Sequence, residues 1–230
     1  MKKFFVAIVL SIIFFLVIFH EKIFEKYVIY KLSNWVKKEI SFDEFNFKYP
    51  NKIKIKGISI INSNPTYYDN IFESELISID IDLKTYFLED LVIINDLKID
   101  KPIFYLELIV KKSKVDKNID GTEKIIFNDN IGVAKKISEN LPDKVWPLKK
   151  RDINFLILKS SIYNGKTFIN ISSIKEPSFI SLSNFEFSKI GNQKGFQHYK
   201  DVLKIIFFDI FGRESDPIKK KILQDAYKLN

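Results

Sequence analysis

The chain has 230 residues, 46% of them hydrophobic with 22 Phe, and a net charge of +8. That length suits one domain plus an anchor, and so apolar a composition excludes general disorder. Seven Gly and seven Pro favour long regular elements, and the absence of Cys excludes disulfides, thiolate metal sites and catalytic thiols.

Residues 4–19, from Phe4 to Phe19, form one apolar run behind Met1-Lys2-Lys3. At 1.5 Å per residue it makes roughly 24 Å of helix, a little short of a hydrocarbon core of about 30 Å. Ile23, Phe24, Tyr27 and Val28 can extend it while Lys22 and Lys26 snorkel to the interface. His20-Glu21-Lys22 offers no small-residue cleavage site, so an uncleaved signal anchor over 1–20 is expected, against the rivals of a cleaved signal or a buried helix. Lys2 and Lys3 favour a cytoplasmic N-terminus, which leaves the remainder outside the cytoplasm. Residues 21–40 then read as a juxtamembrane amphipathic helix, with Ile23, Tyr27, Tyr30 and Leu32 at near-helical spacing.

From Ile40 the periodicity becomes that of strands. Phe45 and Phe47 alternate with polar residues, and Ile53 and Ile55 alternate with lysines until the phase changes around Gly57, a bulge or bend signal. In Glu75–Lys84, Ile77, Ile79, Ile81 and Leu83 point one way while Ser78, Asp80, Asp82 and Lys84 point the other. Strands at 91–99 and 103–110 follow, divided at Asp100-Lys101-Pro102, because Pro102 lacks a donor and belongs at a strand start or edge.

Residues 111–129 form a polar connection, and 131–141 suits a helix capped by Asp129 or Asn130. Strands resume at 153–163, 166–173 and 178–188, with Asn164-Gly165 predicting a type I′ hairpin between the first two. His198–Phe211 is a strongly apolar helix ended by Gly212, and Asp216–Leu229 a charged terminal one. The organisation is thus an anchor (1–20), a helix (21–40), a β-rich domain (41–196) and C-terminal helices (197–230): α+β, mainly β. Periodicity alone leaves barrel, sandwich and open gutter undecided.

Chemistry-bearing motifs are scarce. Asp116…Gly121 matches the first half of a calcium loop, but the acidic twelfth position is Phe127. Gly165-Lys166-Thr167 ends like a phosphate loop, yet Ser160 stands at the earlier glycine position. His20 and His198 form no triad, and Asp80 with Asp82 reads as a solvated strand face. No enzyme, metal or cofactor is expected. The basic residues are scattered outside any nucleic-acid motif, so the positive charge reads first as a solvated surface and next as attraction to anionic lipid headgroups; membrane lipids and an envelope protein are the partners considered, and nucleic acid is not one.

Several landmarks keep a recognisable order: Ile53-Lys-Ile-Lys-Gly57-Ile-Ser-Ile60, Asn64-Pro65, Phe72-Glu73, Ile79-Asp-Ile-Asp-Leu83, Tyr86-Phe87-Leu88, and Leu91 to Pro102 followed by Phe104 and Glu107. Behind an N-terminal anchor, this order resembles the N-terminal module of the AsmA family of bacterial envelope proteins. Asp120-Gly121 and Asn164-Gly165 between strands also fit, so the resemblance covers about two thirds of the chain. It implies inner-membrane anchoring, a periplasmic domain, and a curled antiparallel sheet whose concave face is a greasy groove. It also implies a role in lipid transfer or outer-membrane biogenesis, and no catalytic residue. Phe45, Phe47, Ile77, Ile79, Ile81, Leu83, Leu106 and Leu108 are the groove candidates, and the same pattern suits an ordinary packed core. Two functions follow: a lipid-shielding envelope protein, or a structural adaptor with a filled interior and a protein partner.

Overall fold

A computed structural model describes residues 22, 25–30, 32–34, 38–63, 65–89, 91–113, 124–130, 154–192 and 195–227, and its strands join into one open, eleven-stranded sheet. The expected span at 4–19, the calcium-loop half-motif and the helix at 131–141 lie outside the described residues. Among the described residues no helix is long and apolar enough to cross a membrane. Helical turns at 25–30 and 32–34 hold Val28 and Leu32 against the first strands.

Alternating isoleucines and charges produce the first half of the sheet. β1 (Ile40–Ser41) and β2 (Glu44–Lys48) both pair antiparallel with β3 (Lys52–Ile61), which pairs with β4 (Asn70–Asp82). The strand expected to run through Lys84 stops at Asp82. The Asp82 carboxylate accepts from the N–H groups of Lys84 at 2.9 Å and Thr85 at 3.3 Å, and so caps helix α1 (Leu83–Leu88). Capping satisfies backbone donors that a further strand residue would leave without a ladder partner.

The spine is β5 (Leu91–Ser113), one continuous strand of 23 residues where two were expected. β4 and β6 (Lys124–Asp129) pair with it antiparallel, while β7 (Asn154–Tyr163) and β8 (Lys166–Ile171) both pair with it in parallel. The sheet is therefore mixed rather than antiparallel. Pro102 sits in mid-strand because the β5–β7 ladder stops at Asp100–Tyr163 and the β5–β8 ladder starts at Ile103–Lys166, so its missing N–H falls in the gap.

Asn164-Gly165 is likewise no hairpin. A type I′ turn needs positive φ at both residues, and here Asn164 alone has it, at 57°. β7 and β8 therefore continue in one direction through a kink. Gly165 is required by space: a Cβ there would lie 2.8 Å from Leu182 Cδ1 and 3.2 Å from Pro102 Cγ. The expected strand 178–188 is two, β9 (Ser178–Ser181) on β8 and β10 (Phe185–Gly191) on β7, since β7 and β8 diverge. β11 (Gln197–His198), helix α2 (Tyr199–Gly212) with His198 as its cap, and helix α3 (Pro217–Tyr227) complete the described chain.

One row organises the sheet. The register aligns Gly57 of β3, Glu75 of β4, Lys101 of β5 and Asn164, and three of these are left-handed, with φ of 58°, 48° and 57° for Gly57, Lys101 and Asn164. At this row the apolar positions switch parity: Ile53 and Ile55 give way to Ile58 and Ile60, and Leu97 and Ile99 to Phe104 and Leu106. The phase change at Gly57 is thus one part of a transverse kink that keeps a single face apolar along the full strand length.

Candidate functional site

Pleat and register together decide what each face of the sheet can do. On the apolar face Phe47 pairs with Ile53, Ile53 with Ile79, and Ile79 with Leu97. Four neighbouring strands thus carry one apolar row at right angles to their direction, and all four side chains are half-buried. Three interstrand steps of about 4.8 Å make the row about 14 Å long.

Packed clusters surround it. Val28, Ile40, Phe45, Ile55 and Ile58 form one, and Ile81, Val92, Ile94 and Phe155 a second. Leu106 and Leu108 belong to the largest, where α2 and α3 cover the sheet with Ile206, Ile210, Leu223 and Tyr227. Of the groove candidates, Phe47, Ile77 and Ile79 therefore remain half-buried, while Phe45, Ile81, Leu106 and Leu108 are core. The side chain of Leu83 lies outside the described ones. The seven described ones fall into separate clusters.

Among the landmarks, Gly57, Pro102, Asn164 and Gly165 take their places at the kink, Pro65 is exposed in the loop between β3 and β4, and Asn64 lies outside the described residues. The loop carrying Pro65 is fastened by Glu107, a residue 2% exposed. Its carboxylate accepts from the N–H groups of Thr66 (3.3 Å), Tyr67 (3.3 Å) and Tyr68 (2.7 Å), from Asn62 Nδ2 (3.1 Å), and from the Thr66 hydroxyl. A lone charge inside Pro102–Val110, apolar on both sides, was the available signal, since a buried charge needs partners.

Asp80 and Asp82 do not form a carboxylate pair. Asp80 accepts from Asn51 at 2.9 Å and Asn95 at 3.1 Å, and Asp82 caps α1. No group of three or more His, Asp or Glu able to hold a metal ion occurs among the described residues.

The opposite, outer face carries five touching rings: Tyr67–Tyr68 (4.8 Å), Tyr68–Tyr105 (5.2 Å), Tyr105–Phe168 (5.5 Å) and Phe168–Phe179 (5.1 Å between centroids). Burial, and then a hydrogen bond to Glu73, pushes the Tyr105 phenol up to about 12. Beside the rings, Lys101 Nζ meets Glu75 Oε2 at 2.6 Å and Asn70 donates to Glu73 at 2.6 Å. The hydrogen bond to Glu75 raises the Lys101 ammonium above its ordinary range. Sequence periodicity missed this polar cluster, because its members come from separate strands that only the register assembles.

A scan against family models finds no match to the chain, and searches of curated proteins and of solved structures find no significant match.

Proposed function

We propose that this protein is a membrane-anchored, AsmA-like envelope protein that shields a lipid acyl chain along the apolar face of its sheet. The half-buried row Phe47–Ile53–Ile79–Leu97 carries the reading: it is apolar, linear and wider than one side chain. Each methylene buried there contributes about 0.8 kcal/mol, so roughly eight in contact supply about 6 kcal/mol before the cost of ordering the chain. The apolar run at 4–19 supports placement of the domain against the inner membrane, with its body in the periplasm, where an acyl chain enters from the bilayer edge.

Native mass spectrometry of the full chain released in detergent is the test. Phospholipid adducts are expected, and repeated lipid-free preparations refute the reading. A C-terminal reporter fusion that signals from the cytoplasm refutes the topology. A second reading, a structural adaptor that binds a protein partner and no lipid, draws support from the filled cluster around Leu106 and Leu108. Ile79→Asp separates the two: it spares the fold and abolishes lipid adducts on a lipid-bearing face, and unfolds a closed core.

A further inference from the structure

A concavity of about 730 Å³ opens where the kinked row crosses the outer face. This is the range of pockets that hold small molecules. Its walls include Asp43, Ser59, Glu75, Lys101, Asn164 and Lys166, contributed by five different segments. By the pleat it faces away from the apolar row: Ile103 and Lys166 line it, while their neighbours Phe104 and Thr167 turn to the core side.

Two features shape the furrow. A Cβ on Gly57 would lie 1.7 Å from Asp43 Oδ2, so the glycine leaves the space that this carboxylate fills. Lys101 and Asn164, at φ of 48° and 57°, hold left-handed conformations uncommon for residues with a side chain, and both line the furrow, with one N–H of the Asn164 amide donating to Asp100 at 3.2 Å.

The wall chemistry selects a ligand class. Asp43, Glu73 and Glu75 stand with Lys101 and Lys166, so donors and acceptors interleave and the charge nearly balances. A bare anion meets three carboxylates there and a polycation meets two ammonium groups. A chain of hydroxyls, each of which donates and accepts, meets a partner for both functions. At the rim Tyr105 donates to Glu73 at 3.0 Å, and Lys166 Nζ lies 5.9 Å from the Phe179 ring. Phe179, 54% exposed beside Lys166, offers apolar surface to the C–H groups of a sugar.

We infer that this furrow binds a neutral saccharide chain, with Asp43 and Glu75 accepting from its hydroxyls and Lys101, Lys166 and Asn164 donating to them. The site lies on the face opposite the acyl row, so absence of lipid leaves it standing. The test uses the full chain in a sugar-free detergent, titrated with maltotriose, cellotriose and tri-N-acetylchitotriose, with spermidine and inorganic phosphate as charged controls. At least one trisaccharide is expected to bind saturably and shift the amides of Ser59, Lys101 and Asn164. Asp43→Asn and Lys166→Ala should each weaken it about tenfold at unchanged melting temperature, and the exposed Lys166 variant decides alone if the other fails to fold. Three silent titrations overturn the inference, as do undiminished binding in the folded variants or saturation by spermidine or phosphate in place of the sugars.

Discussion

Replacing Glu107 with Ala tests the fastening of the 62–69 loop. The carboxylate receives five donors, three of them backbone N–H groups of consecutive residues. A hydrogen bond to a charged acceptor is worth about 1.5–3 kcal/mol, but these five are not additive. Thr66 and Tyr67 are exposed and regain water when the carboxylate goes, whereas Asn62, 3% exposed, does not. The expected loss is therefore about 3–5 kcal/mol, because the buried Asn62 amide and the half-buried Tyr68 N–H each lose an acceptor at about 1–3 kcal/mol. At about 2–4 °C per kcal/mol for a chain of this size, melting falls by roughly 6–20 °C. Glu107→Gln keeps one acceptor but aims an amide N–H at the donors, so its loss is intermediate. Urea unfolding of the detergent-held chain measures the energy, and hydrogen exchange of Thr66, Tyr67 and Tyr68 localises it. A loss under about 1 kcal/mol with unchanged exchange refutes the reasoning.

Three further outcomes are expected. Gly165→Ala should cost about 1–3 kcal/mol by urea unfolding, since its Cβ would meet Leu182 Cδ1 at 2.8 Å and that side chain yields only in part. Leu108→Ala, at a site 1% exposed, should cost about 3 kcal/mol, and Ile79→Ala in the half-buried row about 1 kcal/mol; equal losses would mean that the row is closed core. Burial alone would raise the Asp209 carboxyl, but the N–H and hydroxyl of Ser183 and the Arg213 guanidinium outweigh it and hold it below the ordinary 3.8. Its contribution is therefore present above that value and lost as pH falls through the lower folded one, so Asp209→Asn should flatten the acid limb of a stability–pH curve.

What was legible in the sequence was local. Period-two alternation located β2, β3 and most of β4, and the phase change at Gly57 marked a real departure from regular strand geometry. What stayed hidden depended on distant partners. Pro102 reads as a strand edge until its missing N–H is seen to fall in a gap between two ladders. Asn-Gly reads as a hairpin because sequence cannot distinguish one positive φ from two, and Asn164 was already opposite Lys101. The same limit applies to the sites. Isoleucine spacing identified the apolar face but not which part α2 and α3 would cover, and the polar furrow draws on residues from Asp43 to Lys166.

The kinked row explains why both faces exist in their present form. In a regular strand, Leu97 and Ile99 would face one side and Phe104, Leu106 and Leu108 the other. One left-handed residue at Lys101 returns the second set to the side of the first, so that all five meet apolar neighbours. A strand that switches parity alone would break register with its neighbours, which is why β3 switches at Gly57 and the β7–β8 path at Asn164, at the same level. The furrow lies along that level, lined by Gly57, Glu75, Lys101 and Asn164 alike. The furrow is therefore a geometric consequence of giving a long strand one apolar side. Its carboxylates, amides and lysines are not: a bend needs none of them, and Ser or Thr would solvate it as well. The wall chemistry, rather than the concavity, is what the saccharide titration interrogates.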